Sequence, residues 1–240
     1  MESEKEKDNM TILIARHGES VNNLPDPAGY MLDPKLTELG LAQARLLGER
    51  CAGLRIDALI TSPLLRALQT VNEISVRRDS QPVRILHELV EIGTDYPALT
   101  HGEAVKVCSA ALPYEAAPGP GDYGDSFELE IRDPWYSLAR AYRVISRVRQ
   151  SYPEDSTVLL VGHGAFNQRL IAAALRASFP PDFIFSQENT GVTVVDYRPG
   201  DSGREVTRLV MMNDTSHLYG TQCAGGIAQS VAANSAARAN

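Results

Sequence analysis

Thr11-Ile12-Leu13-Ile14-Ala15-Arg16-His17-Gly18-Glu19-Ser20 is the stretch that decides how this chain folds. Thr11–Ala15 is a continuous apolar run of the kind a parallel strand buried on both faces requires. An arginine, a histidine and a glycine follow at once, so the strand ends where charge and backbone freedom begin. In open parallel sheets, ligands sit outside the carboxyl ends of the strands, near the point where the strand order reverses. A histidine at that place, beside a glycine that lets a ligand approach the backbone, is a candidate for chemistry.

The same alternation continues outward from this run. Leu36–Cys51 carries Leu39, Ala42, Leu46 and Leu47 at helical spacing, with Thr37 as N-cap. Asp57–Thr61 reads as a second strand, Leu65–Ser75 as a second helix and Pro82–Leu86 as a third strand. Pro113–Gly124 is rich in Pro, Gly and Ala and reads as a surface loop. Asp133 at an N-cap and Pro134 at the first helical position open a helix reaching Ser151. Thr157–Val161 is another buried strand, Ala165–Ala177 a helix, and Val192–Tyr197 and Val206–Met212 two final strands. This βαβα order predicts an α/β fold: a three-layer sandwich, with a mostly parallel central sheet flanked by helices.

Composition narrows the functional classes. The 240 residues carry a net charge of −7, which argues against a nucleic-acid binder but not against a local phosphate pocket. Cys51, Cys108 and Cys223 are odd in number and far apart, so neither a disulfide framework nor a zinc site is expected. A reducing, cytoplasmic compartment fits, and no run reaches the roughly 20 apolar residues of a membrane span. Residues 1–9 and 222–240 are expected to be disordered, leaving one domain over 10–221 with an insertion at about 94–132. No heptad pattern appears, and a monomer or homodimer is expected.

Three motifs follow strands: Arg16-His17-Gly18-Glu19-Ser20, Thr61-Ser62-Pro63-Leu64-Leu65-Arg66-Ala67 and Gly162-His163-Gly164. The second puts Arg66 near a helix N-terminus, which favours anions. A neutral imidazole can attack phosphorus, arginines can hold the peripheral oxygens, and a carboxylic acid can protonate the leaving group. Such a site needs no metal or cofactor. Each piece alone is weak; their joint placement at one sheet edge is the signal.

These motifs resemble those of the histidine phosphatase superfamily, the phosphoglycerate mutase-like family. The match includes Leu13–Ser20, Leu36-Thr37-Glu38-Leu39-Gly40, Ser62–Thr70, Val161-Gly162-His163-Gly164 and Asn213-Asp214-Thr215-Ser216-His217-Leu218. The resemblance implies His17 as the phosphorylated nucleophile, with Arg16, Arg66 and His163 forming the phosphate pocket. It implies that the Asn23 amide reaches the phosphoryl group and that Ser20, Gly164 and the N–H of Ala165 line or support the substrate site. His217 is expected to support the site. The proton donor falls on Glu91 in Leu89-Val90-Glu91, with Glu88 in Leu86-His87-Glu88 as the other register.

The resemblance further implies a phosphomonoesterase acting on a small phosphorylated metabolite, with phosphoglycerate mutase activity or a silent binding module as alternatives. The Tyr-Gly-x-Leu segment and basic loop of cofactor-dependent mutases are missing. Specificity is expected from the segment between Asn23 and Leu36 and from Thr94–Arg132, with Tyr96, Tyr114, Tyr123 and Phe127 as its aromatics. His87 and His101 read as surface residues. Asp122/Asp125 and Glu128/Glu130 lack metal-ligand spacing and read as a solvated face.

Overall fold

The computed structural model describes residues 9–24, 31–94, 99–114, 130, 132–177 and 186–224. Six strands form one sheet: β1 (Met10–Arg16), β2 (Ala58–Thr61), β3 (Val83–Ile85), β4 (Thr157–Gly162), β5 (Val192–Pro199) and β6 (Glu205–Asp214). Their spatial order is β3-β2-β4-β1-β5-β6. β3, β2, β4 and β1 run parallel, and β5 lies antiparallel to both of its neighbours. The helices are α1 (Glu38–Ala52), α2 (Leu65–Val76), α3 (His101–Val107), α4 (Pro134–Ser151) and α5 (Gly164–Ala174).

The apolar run of β1 feeds two cores, because successive strand side chains point to opposite faces. Ile12 and Ile14 pack with Leu138, Ala141, Val144 and Val148 of α4 and Phe166 and Leu170 of α5. Leu13 and Ala15 pack with Leu47 of α1, Leu68, Val71 and Ile74 of α2, and Ala104 of α3. Each such Leu or Ile contributes about 1.5–3 kcal/mol on leaving water. β1 and β4 are parallel neighbours, with Arg16 opposite Gly162. The helix after β1 covers one face and the helix after β4 covers the other, so a crevice opens beyond the ends of these two strands.

The predicted elements form with end shifts of a few residues, and the caps at Thr37 and Asp133 are made by their side chains. The stretch 94–132, expected as an insertion, carries an element that the sequence reading does not name. It contains α3, opened by a capping box in which Thr100 and Glu103 bond reciprocally. After α3 the chain joins the edge of β3, through Val83 N–H to Ala110 O at 2.9 Å and Leu112 N–H to Val83 O at 2.8 Å. Tyr114 packs on this core and donates to Leu99 O. Tyr96, Tyr123, Phe127, Asp122, Asp125 and Glu128 lie outside the described residues.

Glu130 is not on a solvated face: it is 5% exposed and paired to Arg140. His87 and His101 are half-buried rather than surface residues. Gln222–Ala224 form a short 3-10 turn with Cys223 buried. Residues 1–8 and 225–240 lie outside the described residues. All three cysteines are buried free thiols, and burial raises the Cys51 thiol to about 11. Among the described residues, no helix is long and apolar enough to cross a membrane.

Candidate active site

His17 is the first residue after β1, tied across to β4 by its N–H to Gly162 O at 3.0 Å. Its side chain is fixed at both ring nitrogens. Nδ1 lies 2.6 Å from Gly18 O, an acceptor. Nε2 receives a hydrogen bond from Arg66 Nε at 3.2 Å. A guanidinium only donates, so Nε2 must be the unprotonated nitrogen and Nδ1 carries the proton. Burial, then Arg66 and Arg16, hold His17 well below the usual imidazole range. The ring is therefore neutral, with its lone pair on Nε2.

His163, the N-cap of α5, lies beside it, with ring centroids 5.2 Å apart. It is wholly buried, and burial, Arg66, His17, Arg16 and Arg140 keep it neutral too. Its Nε2 is 2.7 Å from Ser62 Oγ, which also accepts from Leu64 N–H. We assign the Ser62 proton to the histidine contact, which puts the ring proton on Nδ1. Arg16 donates from Nη1 to Gln187 O at 2.7 Å. Arg16 Nε and His163 Nδ1 are buried and have no hydrogen-bond partner among the described residues. Two buried donors around a neutral imidazole suit an anion with several oxygens.

The loop carrying His17 is held by close packing onto α1. A Cβ on Gly18 would lie 2.4 Å from Gly40 O, and one on Gly40 would lie 1.9 Å from Glu19 O. Two glycines let the loop and the helix N-terminus touch backbone to backbone. Gly18 N–H donates to Thr70 Oγ1, Glu19 N–H to Gln43 Oε1, and Thr37 Oγ1 to Glu19 Oε1. Ser20 is buried and donates from both N–H and Oγ to Asn23 Oδ1 at 3.0 Å. Asn23 is exposed, its oxygen committed to the loop. Gly164 lies against Arg16, whose Nε would be 3.3 Å from a Cβ there.

Both helix N-termini that the sequence offers to an anion are taken by carboxylates. Asp33 accepts from Leu65 N–H through both oxygens, at 3.0 and 3.1 Å, and lies 3.6 Å from Arg66 Nη1. Glu91 accepts from Phe166 N–H at 2.8 Å and from Ala165 N–H at 3.2 Å at the start of α5. The Ala165 N–H therefore serves Glu91, not an open substrate position. The charge of Glu91 also reaches Arg16 and Arg169. Glu88 pairs instead with Arg147 at 3.4 Å. Of the two registers, only Glu91 joins the cluster.

His217 stands one layer behind. Its Nε2 is 3.0 Å from Thr190 Oγ1 and its Nδ1 is 3.4 Å from Arg50, which also pairs with Asp214. Burial and Arg50 lower His217 to about 4. Thr190 donates onward to Asn189 O, and Asn189 Nδ2 donates to His17 O at 3.0 Å. Thr190 holds a left-handed φ of 58°, uncommon for a β-branched residue and a sign of local strain beside the site. Asp33, Gln187, Asn189 and Thr190 escape sequence reasoning. The signals were present: a carboxylate shortly before Leu36-Thr37, and the run Gln187-Glu188-Asn189-Thr190 just before β5.

A family model described as the histidine phosphatase superfamily (branch 1) matches residues 12–214. A 2,3-bisphosphoglycerate-dependent phosphoglycerate mutase of Brucella anthropi is 30% identical over 205 residues, covering 80% of this chain and 94% of that protein. A probable 2-carboxy-D-arabinitol-1-phosphatase of Arabidopsis thaliana is 27% identical, covering 85% of this chain and 42% of that protein. Among solved structures, a mutant phosphoserine phosphatase of Entamoeba histolytica in complex with phosphoserine superposes with a TM-score of 0.60 at 23% identity. That match covers 87% of this chain and 99% of the other. A mycobacterial glucosyl-3-phosphoglycerate phosphatase with VO3 gives a TM-score of 0.59 at 24% identity, covering 85% and 98%. These two structural likenesses show the shared fold, and the family match over most of the length places this chain in the histidine phosphatase superfamily, branch 1.

Proposed function

We propose that the chain is a phosphomonoesterase that works through a phosphohistidine on His17, without a metal or cofactor, on a small phosphorylated metabolite. The observation that carries this reading is the Arg66 Nε to His17 Nε2 contact of 3.2 Å, which leaves a neutral ring with its lone pair on Nε2. Nε2 attacks phosphorus in line, and the bond from phosphorus to the leaving oxygen breaks. Arg16, Arg66 and His163, with Asn23 at the rim, spread the charge of the transferring group. Glu91 enters this step in its protonated form, the form the second step regenerates, and gives its proton to the departing alkoxide. In the second step Glu91 takes a proton from water, the water oxygen bonds to phosphorus, and the N–P bond breaks to restore neutral His17.

Mutase activity is the second reading, favoured by the names of the relatives at 27–30% identity. Charge speaks against it. Between Thr94 and Arg132 the cations are Lys106 and Arg132, against Asp95, Glu103, Glu115, Asp122, Asp125, Glu128 and Glu130. A segment so acidic is a poor match for a bisphosphorylated acid and better suited to a monophosphate.

The test is p-nitrophenyl phosphate hydrolysis at pH 5–8 with EDTA, beside a His17→Ala variant. It is followed by phosphoserine, glucosyl-3-phosphoglycerate and 3-phosphoglycerate as substrates. Phosphate release lost in the variant supports the hydrolase. Interconversion of 2- and 3-phosphoglycerate without release supports the mutase, and equal activity of wild type and variant removes His17 from the mechanism.

A further inference from the structure

Arg140 of α4 is 2% exposed, and its guanidinium is engaged on every side. Nε and Nη2 donate to Glu130 Oε1 and Oε2 at 2.7 and 2.8 Å, a bidentate pair. Nη1 donates to Glu88 O at 2.7 Å and to Val90 O at 2.9 Å. The guanidinium carbon lies 3.7 Å from the centroid of the Phe166 ring. A buried arginine with a bidentate partner is an expensive device to keep out of water, and hydrophobic residues of similar volume would often stabilise a core as well. Its contacts must therefore be weighed for what they position.

They converge on one side chain. Val90 O belongs to the residue just before Glu91, and Glu88 O to the turn that delivers it. Phe166, under the guanidinium, is the residue whose N–H holds Glu91 Oε1 at 2.8 Å. Arg140 thus fixes the backbone that carries the Glu91 carboxylate and the ring next to the N–H group that aims it. Glu130 supplies the charge that lets Arg140 stay buried.

We propose that Arg140 and Glu130 are positioning residues for the proton donor, and that Glu130 makes the placement of Glu91 depend on the 94–132 stretch. This rests on the reading of Glu91 as the acid. Neither residue touches the reacting atoms. Their loss misplaces the acid while leaving His17, Arg16, Arg66 and His163 in place.

Leaving-group dependence tests this. A p-nitrophenolate leaves with little protonation, whereas the alkoxide of glycerol 2-phosphate needs the acid. Glu91→Gln, Arg140→Lys and the double variant Arg140→Met with Glu130→Leu are compared on both substrates, with vanadate inhibition reporting the phosphate pocket. Arg140→Lys keeps a cation for Glu130 but gives up the planar fork; the double variant removes both buried charges together and guards against misfolding. The expected result is an alkyl-to-aryl ratio of kcat/KM values, which report the first step and not hydrolysis of the shared phosphoenzyme, that falls by roughly 10²-fold or more in Glu91→Gln and at least about tenfold in the Arg140 variants, with vanadate inhibition retained. A selective loss in Glu91→Gln but an unchanged ratio in both Arg140 variants overturns the positioning role alone. An unchanged ratio in Glu91→Gln overturns Glu91 as the acid, and the proposal with it.

Discussion

Arg66 donates from Nε to Nε2 of His17 over 3.2 Å, so the cation that would grip a phosphoryl group also selects the nucleophilic tautomer of the ring. Replacing Arg66 by alanine removes a donor and the tautomer lock together. Hydrolysis of p-nitrophenyl phosphate should fall by roughly 10²–10³ in kcat, as for loss of one preorganised donor. Arg66 is the second cause, after burial, of the lowered His17 basicity. In the variant His17 should therefore titrate at higher pH than in the wild type, followed by NMR of the imidazole. An unmoved titration would contradict the coupling.

Glu91 and Glu88 should separate cleanly. Glu91→Gln removes the group held at the start of α5 and should stall the second step, so that phosphoenzyme accumulates during turnover. Glu88→Gln gives up only a 3.4 Å contact with the half-exposed Arg147, and stability should change by about 0.5 kcal/mol or less. Intact-mass spectrometry of quenched enzyme, with thermal unfolding of both variants, checks the pair of statements.

The backbone contact between the His17 loop and α1 leaves no room for a side chain. A Cβ on Gly40 would meet Glu19 O at 1.9 Å. Gly40→Ala should destabilise the fold by about 1–3 kcal/mol, as overpacking does, and lower kcat by displacing Gly18 and Glu19. Gly53→Ala, with nothing within 4 Å of the added carbon, is the control. Denaturant unfolding of both variants measures the difference.

Acid should destabilise this protein through its buried imidazoles. His17 and His163 are held well below 6.5 in the fold by burial first, and His217 is lowered to about 4. The unfolded chain binds protons at these positions once the pH drops below about 6.5, while the folded chain does not. Stability from these groups is thus full above about 6.5 and is lost as the pH falls toward the folded values. Tm should decline from pH 7 to 4.5, and His217→Gln should flatten part of that decline. A Tm independent of pH over this range would contradict the neutral, buried imidazoles.

Much of this was legible from residue order because the motifs are local. Thr11–Ala15 shows its burial on both faces by being apolar at successive positions. Thr37, Asp133 and Pro134 announce their helix ends through cap chemistry, which acts within one turn. The pairing of Asp33 with Leu65 and Arg66 spans some thirty positions, and no periodicity encodes it. The burial of Glu130 is hidden from the sequence for a related reason. A carboxylate in a Gly- and Asp-rich neighbourhood reads as solvated unless its partner is known, and Arg140 lies ten positions on, inside α4. The resemblance implies the Ala165 N–H as a donor to substrate; the group that accepts from it is the protein's own Glu91 carboxyl.

The central claim is that phosphate passes through Nε2 of His17. Enzyme mixed with p-nitrophenyl phosphate and quenched within its first turnovers, then digested, should yield one acid-labile, base-stable phosphate on the peptide containing His17. NMR of the trapped protein should place it on Nε2, with Glu91→Gln raising its yield. Turnover with no phosphohistidine, or with phosphate on another residue, would contradict the account.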